Sequence, residues 1–130
     1  MYVISESDAS TYLDRIQVWR DKLSALQAAI DRHCSYSEVA DIARGVKREF
    51  TAEAAEAKRQ CKRASSPLLE LYYSRIQDIS FRFRAVVDAQ PFPKLTRSIS
   101  NTTWEIDWFE SEIESWLKKS LLVRESSGST

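Results

Sequence analysis

One histidine and two cysteines set the limits of the chemistry open to this 130-residue chain. His33 and Cys34 are neighbours, which raises a Cys–His nucleophile or a metal pair. On a helix, however, adjacent side chains point about 100° apart and do not face each other. The pair therefore reads as a boundary histidine beside a thiol at a helix end. Structural zinc needs four ligands, usually in close pairs, and His33, Cys34 and Cys61 do not make such a set. Di-iron bundles use Glu-x-x-His, which the sequence lacks. Two glycines cannot build a glycine-rich phosphate loop. The expectation is no catalytic residue, no metal, no cofactor, and a protein that is not an enzyme.

Charged side chains come next. Glu105, Asp107, Glu110, Glu112 and Glu114 crowd one segment. Only Asp107 with Glu110, Glu110 with Glu114, or Glu105 with Glu112 share a helix face, so a solvated face accounts for them. The basic set Arg44, Lys47, Arg48, Lys58, Arg59, Lys62 and Arg63 could grip phosphate, but Glu49, Glu53 and Glu56 interrupt it. Nineteen basic and nineteen acidic residues cancel over the whole chain. A neutral chain has no bulk attraction for nucleic acid or an anionic membrane.

The aromatic surplus is more informative. With Ile113 taken as the inward direction, Trp104 and Trp108 point to the far side of their helix, four residues apart, where they stack into one patch. With Ile76 inward, Leu71 and Phe81 point outward. Antiparallel helices would bring Phe81 close to the two tryptophans. Tryptophan is enriched at binding hot spots. Three readings stay open: contact with another protein, the core of a homodimer, or cover by an irregular segment 90–101 carrying Phe92 and Leu95.

The elements that position these groups follow from apolar spacing. Tyr12, Ile16, Trp19, Leu23, Leu26, Ile30 and His33 alternate steps of four and three, one stripe of a helix over about 8–33. Ser7, Asp8 and Ser10 are candidate N-caps. Val39, Ala43, Val46, Phe50, Ala54, Ala57, Cys61 and Ala64 mark a second helix over 37–63, capped by Ser35 or Ser37. Its Ala-rich half should lie beside Tyr12 and Trp19, so that large residues meet small ones. Ser66 as N-cap with Pro67 in the first turn starts a third helix over 67–89. Ile106, Phe109, Ile113, Trp116 and Leu117 mark a fourth over 102–122.

Four such stripes predict an all-α, up-and-down antiparallel four-helix bundle, one domain over 1–123 with a flexible tail at 124–130. The basic second helix and the acidic fourth would attract each other. The two thiols fall at opposite ends of a hairpin, about 40 Å apart, too far for a disulfide. The opening residues MYVISESDAS do not read as a signal peptide, and no apolar run reaches membrane-span length. A cytoplasmic setting without membrane contact is expected. The function expected is a non-enzymatic protein-binding module: an inhibitor, immunity protein, phage-encoded antagonist or adaptor that occludes a partner surface. The partner is another protein or a second copy. The alternative is a nucleic-acid-binding accessory protein using the basic second helix.

Overall fold

The structure is a computed structural model and describes residues 3–128, with side chains to 124. It is an all-α bundle: α1 Glu6–Asp31, α2 Tyr36–Arg63, α3 Pro67–Arg82 and α4 Pro93–Gly128. Each helix runs antiparallel to the next. Lys22 and Arg15 of α1 reach Glu49 and Glu53 of α2, so residue numbers rise on one helix as they fall on the other. Tyr72 and Ser80 of α3 meet Glu53 and Thr51 of α2 in the same reversed order. Arg75 and Arg82 of α3 bridge to Glu112 and Glu105 of α4. The ring closes where Arg20 of α1 meets Asp107 of α4, and where the backbone N–H of Ile4 donates to Ser120 Oγ. No helix among the described residues is long and apolar enough to cross a membrane.

The core is the inward stripes meeting. Ile16, Leu23 and Leu26 of α1, Val39 and Phe50 of α2, Tyr72 and Ile76 of α3, and Ile106, Phe109 and Ile113 of α4 are almost completely buried. Trp19 packs on Phe50 at 5.0 Å, and Phe50 meets Phe83 edge-on at 5.6 Å.

Helix ends differ from the sequence expectation in instructive ways. α1 is capped by Ser5, whose hydroxyl accepts from the Asp8 N–H, and not by Ser7, Asp8 or Ser10. It stops at Asp31, so His33 leaves the core stripe and is exposed. His33 takes φ 57°. Its N–H donates to the Ile30 carbonyl and that of Cys34 to the Ala29 carbonyl. That pair of bonds is the Schellman ending, with histidine in the left-handed position usually held by glycine. Ser35 caps α2 and Ser66 caps α3, the latter with Pro67 in the first turn, as the spacing predicts. Ala64, assigned to the inner stripe, is exposed at the end of α2.

α3 ends at Arg82, seven residues short of its expected limit, and α4 begins nine residues early at Pro93. The cause is tertiary. Lys47 of α2 donates through Nζ to the Ser80 carbonyl at the end of α3, and Ser98 of α4 accepts from the Arg84 N–H at 2.7 Å. These side chains satisfy backbone groups that a longer helix would have paired internally. Residues 83–92 then cross the end of the bundle, where the Tyr36 hydroxyl donates to the Val87 carbonyl and the Tyr36 ring lies 5.9 Å from Phe92. Phe92, Leu95 and Ile99 are buried in the core. At its far end α4 continues through residues 124–128, which the spacing had assigned to the tail; residues 129–130 lie outside the described residues.

Candidate interaction surface

α4 inherits its outward face from its own register. Ile106, Phe109 and Ile113 must point to the core, and at about 100° per residue this turns Trp104 and Trp108 to the opposite side. The rings stack on each other at 5.9 Å with 19° between their planes. They remain 65% and 58% exposed. Cover by 90–101 is thereby overturned: that segment spends Phe92 and Leu95 on the core and forms the first turns of α4 itself.

Trp104 also borders a groove of about 450 Å³ toward α1, lined by Ser24, Gln27, Thr103 and Asp107. Two further grooves flank the rings. One, about 210 Å³, lies toward α3 and is lined by Arg75, Asp78, Ile79, Arg82 and Glu105 with the two tryptophans. The other, about 300 Å³, runs along α4 beyond Trp108. It is lined by Ser111, Glu112, Ser115, Trp116 and Lys119. Ser111 donates its hydroxyl to the Asp107 carbonyl of its own helix, so the bond is made locally.

Glu105, Asp107, Glu110 and Glu112 of the acidic run bridge α4 to its neighbours. Arg75 clasps Glu112 through both carboxylate oxygens, at 2.7 and 2.9 Å, a bidentate geometry stronger than a single contact. Arg82 reaches Glu105 at 2.9 Å, and Arg20 reaches both Asp107 at 2.8 Å and Glu110 at 3.2 Å. The expected attraction between α2 and α4 is therefore replaced: the cations come from α1 and α3, the two neighbours of α4 in the ring. α2 and α4 sit on a diagonal, too far apart for exposed side chains to pair.

Two of the expected apolar partners do not line the groove beside the pair. Leu71 is half-buried and packs against the core, because α3 rolls its 68–72 turn inward between its neighbours. Phe81 is 72% exposed as expected, but it sits under the Arg84 guanidinium at 5.8 Å and does not line the groove beside the tryptophans.

The basic set of α2 does not form one surface. Lys47 is half-buried against the end of α3, and burial, with Arg84 nearby, lowers its pKa. Arg44 pairs with Asp41 at 3.8 Å and Arg59 with Glu56 at 2.6 Å. Arg48 lies near the middle of α2, while Lys58, Lys62 and Arg63 are exposed toward its C-terminal end, at least about 15 Å along the helix.

A second cluster lies where α1, α2 and α3 meet, with only Tyr72 fully buried. The Tyr72 hydroxyl donates to Glu53 at 2.7 Å, and Arg15 lies over the Tyr12 and Tyr72 rings at 5.2 and 5.5 Å. Burial, reinforced by Glu53, holds the Tyr72 hydroxyl protonated well above the usual phenol range. The Trp19 indole N–H faces Tyr72 without completing a hydrogen bond. Among the described residues no three of His, Cys, Asp and Glu gather as a metal site, and Cys34 and Cys61 are free thiols.

Ser111 and Ser115 were not singled out from the sequence, although the signal was there. Trp104, Trp108, Ser111 and Ser115 follow steps of four, three and four, a seam on the outside of the helix. Comparison with protein-family models, with curated proteins and with solved structures finds no match.

Proposed function

We propose that this chain is a non-enzymatic protein-binding module that offers Trp104 and Trp108 to a partner protein and acts by covering part of its surface. An inhibitor, immunity protein, phage-encoded antagonist or adaptor works in this way. The observation that carries the reading is the bare, stacked indole pair. A folded chain gains by burying such rings, and a large apolar patch left in water is the mark of an interface. Rigid rings also lose little side-chain entropy on binding, which is why tryptophan anchors interfaces.

The surroundings support the same reading. The bridges from Arg75 and Arg82 fix the walls of the groove, so the rings stand on a rigid face. A cytoplasmic setting belongs to the proposal and is supported by two free thiols. The nucleic-acid alternative draws less support, since Lys47, Arg44 and Arg59 are engaged within α2 or with α3.

The test uses the wild-type chain and the variant Trp104→Ala with Trp108→Ala as paired baits in extract from the native host. A protein retained by the first is then purified and titrated against both. The expected result is at least about a tenfold loss of affinity in the variant. Identical captured sets and equal affinities would overturn the reading.

A further inference from the structure

The outward seam of α4 carries both a knob and a hole. Trp104 and Trp108 are the knobs. Ser111 and Ser115 are the floor of the neighbouring groove, with Trp108 and Trp116 as its walls. Knob and hole lie on one stripe, about 10–16 Å apart at 1.5 Å per residue. We propose that the occupant of this face is a second copy of the chain, its α4 antiparallel to the first. Trp104 of each copy enters the Ser111–Ser115 groove of the other, and the two-fold axis passes beside Trp108. This rests on the protein-binding reading and names the partner.

A two-fold interface uses the same patch on both partners and must be self-complementary. Large residues facing small ones on a single helix satisfy that condition at Trp104, because reversing the second helix sets that ring over the other copy's serines, while Trp108 meets its own counterpart beside the axis. Charge permits it as well. Glu105, Glu112, Asp107 and Glu110 flank the seam, and each is already bridged to an arginine of its own chain. Two identical faces then meet without a row of uncompensated carboxylates, and chains of zero net charge do not repel as wholes.

The area is of the right order. The four rings of a dimer still expose about 60% of their surface, roughly 500 Å² in all. The grooves that cover them lose a comparable amount. The result is near 1,000 Å², the lower end of specific interfaces, and implies a modest affinity.

The experiment is sedimentation equilibrium of the wild-type chain, of Trp104→Ala, of Ser115→Trp, and of the two variants mixed. Circular dichroism and a melting curve on each variant establish that it is folded, and Ser111→Trp is a second hole-filling variant. The wild type is expected to dimerise. Removing the knob or filling the hole should each weaken the dimer by about tenfold or more. Mixing should restore it, since one variant keeps the hole, the other keeps the knob, and the ring at 115 occupies the space that Trp104 left. A wild type still monomeric at about 0.1 mM overturns the second copy as occupant. So does a dimer that neither variant weakens, or a mixture that stays monomeric. Failure here leaves the broader reading to its own test: ring-dependent capture of another protein would sustain it, and its absence would end both.

Discussion

Two tryptophan contacts in this molecule have similar ring separations and opposite surroundings. Trp19 lies 5.0 Å from Phe50, and Trp104 lies 5.9 Å from Trp108. The first contact is walled in by helices, with Trp19 at 8% exposure and Phe50 at zero. The second stands on the outer ridge of α4. Ring–ring attraction is worth only about 0.5–1.5 kcal/mol in either place. The larger quantity is the water excluded, at about 25 cal/mol per Å². At Trp19 that free energy is realised on folding. At Trp104 it is still available, and only association can realise it.

The sharpest way to break this comparison is Trp19→Ala. It should destabilise the chain by about 3–5 kcal/mol, read from a chemical denaturation curve. A midpoint equal to wild type would mean that the ring is not part of the core. Trp19→Phe refines the same point. It keeps an aromatic ring against Phe50 and removes a buried N–H that lacks a partner. Its cost should be less than half that of the alanine variant, because an unsatisfied buried donor itself costs about 1–3 kcal/mol. Equal costs for the two would show that the indole N–H is satisfied.

Tyr72→Phe comes next, at about 1–2 kcal/mol near neutral pH, because Glu53 loses its donor. Its pH dependence carries more information. The folded state holds the Tyr72 proton above the ordinary value of 10.0, so this contribution is complete below pH 10 and fades as pH rises past it, where the unfolded chain ionises first. The melting temperature of the wild type should therefore fall more steeply above pH 10 than that of Tyr72→Phe. Parallel curves would contradict the buried hydroxyl.

The smallest effect on folding should come from the exposed pair. Trp104→Ala with Trp108→Ala should change stability by no more than about 1 kcal/mol, in contrast to Trp19→Ala. It should also shift the remaining tryptophan fluorescence to the blue, since the water-facing rings are gone. A large loss of stability would erase the difference between the two regions and remove the ground for an interface.

Much of this molecule follows from local rules. Stripes such as Ile16–Trp19–Leu23–Leu26 and Val39–Ala43–Val46–Phe50 define helix faces, because a helix repeats every 3.6 residues wherever it is. Ser35 and Ser66–Pro67 start helices through bonds made within one turn. The outward direction of Trp104 and Trp108 follows from the same periodicity. The rest depended on groups distant in sequence. Pro91-Phe92-Pro93 reads locally as the end of α3, yet Pro93 opens α4, because Phe92, Leu95 and Ile99 complete a core supplied by three other helices. Leu95 and Ile99 do continue the Thr102–Ile106–Phe109 spacing, but spacing alone does not say whether helix formation outweighs the prolines. Where α3 stops was decided by Lys47 and Ser98, 33 and 14 residues from their partners. Which arginine meets which carboxylate on α4 was decided by the order of helices around the bundle. Periodicity fixes the face a side chain takes, while only packing fixes what stands opposite that face.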